Sequence, residues 1–216
     1  MLIEYVGHSC FYIVNSGGTR ALTDPYDNSI GLAPVSKSAD IVLISHHHQD
    51  HDYLAGVRGG YQVFDKPGSY QYKDVAIQGF NVPHDAKGGT ERGDNTAFLM
   101  ETDGIRVLHM GDVGAMPDDS FFESAGRVDV LMVPIGGVFT VDAHGALPIV
   151  ERLKPNITIP MHYKTTNLKL DIYTAREFKT IVNKKHDVSL LGSSKFEITA
   201  EQLKKRPRIL FMENSY

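Results

Sequence analysis

The chain has 216 residues, 42% hydrophobic and 22% charged, the make-up of an ordinary globular protein long enough for one sizeable domain. Its formal net charge of −4 excludes the basic surface that general nucleic-acid or membrane-surface binding requires. One cysteine excludes an internal disulfide framework, no apolar run is long enough for a bilayer span, and residues 1–6 show no basic-then-apolar leader, so a cytoplasmic protein is expected.

Short apolar or alternating runs at 2–6, 10–14, 20–23, 41–44, 75–80, 96–101, 105–109 and 128–133 predict strands. Asn15-Ser16-Gly17-Gly18 and Asp103-Gly104 fall between pairs of them and predict hairpin turns. A short helix is expected through Tyr53, Leu54 and Val57. Helical patterning predicts two more, at 146–153, ending before Pro155, and at 171–184, with apolar Ile172, Ala175, Phe178, Ile181 and Val182. Strands are predicted on either side of the last helix, at 157–159 and 188–191. Many early strands followed by strand–helix alternation suggest two sheets packed together with helices outside, in a single domain over 1–216.

The run Ser45-His46-His47-His48-Gln49-Asp50-His51 follows the apolar strand 41–44 directly. It sets four metal-ligand types, His46, His48, Asp50 and His51, just past a rigid element, where a loop can gather them. In an extended segment, side chains two apart share a side, so His46 and His48 can grip one ion while His47 points away. Asp50 and His51, where the chain turns, reach toward a second ion. Two ions need further donors, and three sit at later strand ends: His84 in Val82-Pro83-His84-Asp85, Asp112 in Met110-Gly111-Asp112, and His162 in Pro160-Met161-His162-Tyr163. A lone histidine at a strand end is usually a surface or hydrogen-bonded residue. Their joint occurrence with the dense run makes them candidate ligands.

With these residues in place, the chain resembles the metallo-β-lactamase superfamily, whose central motif is matched by His46-x-His48-x-Asp50-His51. Gly7-His8-Ser9-Cys10-Phe11, Thr23-Asp24-Pro25, Val133-Pro134-Ile135-Gly136-Gly137 and Pro160-Met161-His162-Tyr163 look like the small metal-dependent hydrolase branch related to L-ascorbate-6-phosphate lactonase. The resemblance implies an α/β fold, an αββα sandwich of two mixed β-sheets packed face to face with helices outside, and a site at one edge of the sheets. It also implies that His46, His48 and His84 hold a first metal, that Asp50, His51 and His162 hold a second, and that Asp112 bridges them. The chain is much shorter than the ascorbate-phosphate lactonases, which puts their substrate-binding insertions in doubt.

The expected cofactors are two divalent metal ions, with Zn2+ first and Mn2+ or Fe2+ able to occupy the same nitrogen- and oxygen-rich cage. Two divalent ions, less two carboxylates and one hydroxide, leave about one net positive charge, which suits a small anionic substrate. The expected reaction is hydrolysis of an ester, lactone, amide or phosphoester by water activated on the ions, with Asp50 ligating and orienting it. The competing reading is a metal-binding module or nuclease on the same fold. His8 is a candidate catalytic residue, as proton donor or substrate contact, with a structural hydrogen bond as its alternative. Asp24 orients a ligand or starts the Asp-Pro turn. His109 reads as buried or as a partner of a ligand, His144 and His186 as surface residues, Cys10 as a small buried hydrophobe, and Tyr163 as a substrate contact.

Overall fold

The computed structural model describes residues 1–184, 186–204 and 208–215. The first half is built of strands rich in β-branched and aromatic residues: β1 (Leu2–Gly7), β2 (Cys10–Val14), β3 (Arg20–Thr23), β4 (Lys37–Ser38), β5 (Ile41–Leu43), β6 (Val57–Arg58), β7 (Gln62–Phe64), β8 (Gly68–Tyr72), β9 (Val75–Pro83), β10 (Asp94–Thr102) and β11 (Ile105–His109). Helices then alternate with strands: α1 (Asp119–Ala125), β12 (Val130–Pro134), α2 (Ala143–Leu153), β13 (Ile157–Met161), α3 (Arg176–Val182), β14 (Asp187–Leu191), β15 (Lys195–Glu197) and β16 (Arg208–Met212). Among the described residues they form two large mixed sheets, ordered β15-β1-β2-β3-β5-β7 and β14-β16-β13-β12-β11-β10-β9-β8, and a small β4-β6 pair. The sandwich implied by the sequence is the fold observed.

Side-chain alternation explains the layering. In β10, Phe98 and Met100 point into a core shared with Ile3, Phe11 and Ile41 of the facing sheet, while Ala97 and Leu99 lie under the helices. The parallel strands β12 and β13 are covered on both faces, and all five residues of each are buried. Helices α1, α2 and α3 bury Phe121, Phe122, Ile149, Val150, Phe178 and Val182 on the outer face of the larger sheet. The outer face of the smaller sheet is instead covered by irregular chain carrying Tyr26, Ile30, Leu32 and Val35. No helix among the described residues is long and apolar enough to cross a membrane.

Several boundaries differ from the sequence reading. The helix expected near Tyr53–Val57 is one 3-10 turn, Leu54–Gly56, after which the chain enters β6. Helix α2 begins three residues earlier than expected because the Asp142 carboxylate accepts from the backbone N–H groups of His144 and Gly145. Residues 171–175 are not helical: Tyr173 donates its N–H to Gly136 and accepts from Lys164, which ties this stretch to neighbouring loops. Helix α1, capped by Asp118, and the strands β4, β6, β7, β8, β15 and β16 were not anticipated.

Strands β3 and β5 are also clamped by charge. The Arg20 guanidinium donates to both Asp40 carboxylate oxygens at 2.9 Å, and the Arg20 backbone N–H donates to the same group. This bonding to Arg20 holds the Asp40 carboxyl at about 2. A depressed carboxyl stabilises the fold above its unfolded value of about 3.9 and loses that contribution as pH falls through the folded value. The Tm gap between wild type and Asp40→Asn is therefore expected at full size at pH 6, closing between about pH 4 and 2. Thermal melts across that range read it, and a gap independent of pH would discount the ion pair.

Candidate metal centre

Six strands deliver their carboxyl ends to one edge of the sandwich. β1 leads into His8, β3 into Asp24, β5 into Ser45-His46, β9 into His84, β11 into Asp112 and β13 into His162. Three of these exits turn through left-handed backbone at non-glycine residues: His8 (φ 54°), Asp24 (φ 40°) and His162 (φ 48°). Such conformations are costly and collect at functional sites. The exits are laced across the two sheets: His162 N–H donates to the His8 carbonyl at 2.9 Å and Thr96 N–H to the Ser45 carbonyl at 2.8 Å.

The structure brings all seven expected ligands together. His46, His48 and His84 offer donor atoms within 4.8 Å of one another, and so do Asp50, His51 and His162, joined there by His8. A third such group, His46, His51 and Asp112, straddles the two. The Asp112 carboxylate lies 3.1 Å from His162 Nε2, 3.4 Å from His51 Nε2 and 4.0 Å from His46 Nε2, so it stands between the two clusters.

The donor set fits a metal. Nε2 of His46, His51 and His162 and Oδ1 of Asp112 are buried without hydrogen-bond partners. Buried polar atoms are almost always satisfied, so four orphans converging on one point need a ligand. Burial alone would raise the Asp112 carboxyl, but His162 and His51 hold it well below the carboxylate range. Asp50 is held low in the same way, chiefly by His51 and then by His8. Burial pulls His51 down, yet Asp112 and Asp50 push it well above the usual imidazole value. Burial and its cationic neighbour His51 bring His46 down to about 3, leaving it a neutral donor.

Further residues aim these donors. Asp24, fully buried, accepts from Ser45 N–H and Ser45 Oγ–H, each at 2.7 Å, and from His51 Nδ1–H at 3.0 Å. Because Ser45 Oγ–H points at Asp24, His46 Nδ1–H donates to Ser45 Oγ (2.9 Å), and the Nε2 atoms of both histidines face the cluster. Asp24 thus orients both histidines from the bend that precedes Pro25. Asn95, which sequence reasoning missed, accepts from Asp112 N–H and donates to the Met110 carbonyl, both at 2.9 Å. Gly111 makes that possible: a Cβ there would stand 2.2 Å from Asn95 Oδ1 and 2.6 Å from Ser45 Cβ.

His8 is fully buried behind Asp50, donating from Nε2 to the Asp50 carboxylate at 3.0 Å, with burial and then His162 lowering it to about 4. His109 is buried and donates to the Ser9 carbonyl. His47 faces away, exposed between Asp52 and Asp65. His144 is an exposed residue paired with Glu177, and Cys10 is buried. Tyr163 is buried in the core beneath the helices, apart from the cleft over the cluster.

A model of the beta-lactamase superfamily domain matches residues 2–162. UPF0173 metal-dependent hydrolases of Pyrococcus horikoshii and Pyrococcus furiosus are 31% and 32% identical, each match covering 88% of this chain and 95% of the relative. A crystal structure from Thermotoga maritima, assigned as a zinc-dependent hydrolase of the metallo-β-lactamase superfamily, superimposes with a TM-score of 0.80 at 31% identity over 98% of both chains. The chain therefore belongs to the metallo-β-lactamase superfamily and, within it, to the UPF0173 metal-dependent hydrolases.

Asp24→Asn keeps the size of the side chain but removes the charge that orders Ser45 and His51. Zinc affinity, measured by competition with a chromogenic chelator, is expected to fall roughly 10–100-fold. Unchanged affinity would show that Asp24 does not aim the donors.

Proposed function

We propose that this metal-dependent hydrolase works through a dinuclear centre, with His46, His48 and His84 holding one ion, Asp50, His51 and His162 the other, and Asp112 between them. The observation that carries it is the convergence of four unpartnered buried donor atoms where the two clusters meet. Zinc is the ion of choice. The imidazole-carboxylate set suits it, and the Thermotoga maritima relative is assigned as zinc-dependent. Bound there, the ions supply an acidified water as nucleophile at neutral pH and polarise the oxygen of the scissile bond.

The chain's own part is to hold and steer. Asp50, with 22% of its side chain exposed, borders the cleft and can orient the attacking water as well as ligate. His8, behind it, fixes one Asp50 oxygen by donating from Nε2, which makes it a positioning residue for Asp50. The net positive charge of ions, carboxylates and nucleophile, about one unit, favours a small anionic ester, lactone, amide or phosphoester. The acidic balance of the chain weighs against a nucleic-acid substrate, and the lone buried Cys10 suits the cytoplasm.

Metal analysis combined with a panel of lactones, phosphodiesters and thioesters tests this reading. On any substrate the wild type hydrolyses, Asp50→Ala is expected to lower kcat by ~10²–10⁴-fold while the melting profile stays cooperative. Full turnover by this variant, or a metal-loaded wild type inert across the panel, would overturn it.

A further inference from the structure

The cleft of about 410 Å³ that borders the metal cluster combines two kinds of chemistry. Its lining includes the candidate ligands His48, Asp50, His84 and Asp112, a single Lys/Arg cation, Arg92, and the apolar side chains of Phe139, Ile30 and Leu170. Arg92 is not a stray surface residue. Its guanidinium stacks 4.8 Å from the Phe139 ring centroid and donates from Nη2 to the Val138 carbonyl at 3.2 Å. Among the described residues no carboxylate lies within ion-pair distance of it.

Both supports of Arg92 are built at a cost. The loop that carries it, 85–93, winds around the Asp85 carboxylate, which accepts the backbone N–H groups of Lys87, Gly89, Glu91 and Arg92 at 2.7–3.0 Å. The opposing carbonyl belongs to Val138, a β-branched residue at φ 61° in a turn closed by Phe139 N–H donating to the Gly137 carbonyl. A three-residue turn of this hand is rare and strained. Valine in left-handed backbone signals a geometry that the surroundings impose. The strain delivers the Val138 oxygen and the Phe139 ring to the guanidinium, and the remaining N–H groups of its fork are left for a ligand.

We propose that Arg92 is the specificity-determining residue of this cleft, binding an oxyanion of the substrate, a carboxylate or a phosphate, that is distinct from the group being cleaved. The proposal rests on the hydrolase reading of the same cleft. A guanidinium stacked on an aromatic ring is already oriented, and its fork matches either oxyanion with two parallel hydrogen bonds. Phe139, Ile30 and Leu170 line the same cleft, so the substrate class is an acyl or lactone compound carrying its anionic group on a short apolar linker.

Binding to the zinc-loaded protein tests this without turnover, so its failure is distinct from failure of the hydrolase reading. Titration calorimetry compares adipate with its monoamide adipamate, which keeps one carboxylate for the metal cluster and loses the second charge. 4-Phosphonobutyrate serves as the phosphate-type counterpart. The wild type is expected to bind adipate or the phosphonate at least tenfold more tightly than adipamate, and whichever is tighter names the head group. Arg92→Met is expected to abolish that preference while leaving adipamate affinity within twofold, and Arg92→Lys to retain part of it. A wild type without the preference, or an R92M variant that keeps it with its Tm unchanged, overturns the proposal.

Discussion

The site depends on one buried carboxylate. Asp24 accepts three hydrogen bonds and through them sets the direction of His51 directly and of His46 through Ser45, one histidine from each side of the cluster. An unpaired charge at zero exposure would be prohibitively costly, so Asp24 is tolerable only because each of those donors is in place. The dependence runs both ways: the ligand loop fixes Asp24, and Asp24 keeps a histidine-rich loop from collapsing into a flexible polar tract.

Strand direction supplies the rest. β3 and β5 run parallel, as do β11, β12 and β13, and each contributes its carboxyl end to the same edge. The rigid core between the sheets, Phe98, Met100, Ile159 and their neighbours, holds those ends at fixed separation, so donors far apart along the chain meet without mobile loops. The cost appears where the strands leave the sheets, in the left-handed backbone of His8, Asp24 and His162. It appears again in the buried imidazole nitrogens that find no hydrogen-bond partner among the described residues. Strain and unsatisfied polarity coincide at His8 and His162, in a cluster whose donor chemistry suits an ion.

Much of this was legible in the sequence because the information was local. Dense ligand spacing in 46–51 and the strand-to-loop position of His84, Asp112 and His162 required only periodicity and ligand chemistry. What was hidden depended on contacts distant in sequence. Residues 171–175 carry helix-compatible apolar spacing, but the Tyr173 N–H is captured by the carbonyl of Gly136, far earlier in the chain and adjacent in space. Helix α1 has a visible Asp118 cap yet only seven residues, too few for a clear period. Asn95 sits in an apolar strand with nothing around it to announce that it holds Asp112, and Asp24 could not be separated from an ordinary Asp-Pro turn until Ser45 and His51 were seen to point at it.

The loop after β9 serves both the metal cluster and Arg92 from adjacent residues. His84 joins the cluster, while Asp85 gathers the backbone that presents Arg92. The metal cluster is thereby tied to the sheets, whose geometry cannot shift without breaking the inter-sheet core. Arg92 is tied to a glycine-rich loop and to the Gly137–Phe139 turn, neither of which carries that core. A change in loop length between Asp85 and Arg92 would move the cation relative to the cluster without disturbing a single donor. A fold that sets its candidate ligands just past strand ends and the cleft's cation on a loop can keep the first while varying the second, which is how one metal-binding sandwich can serve substrates of different length.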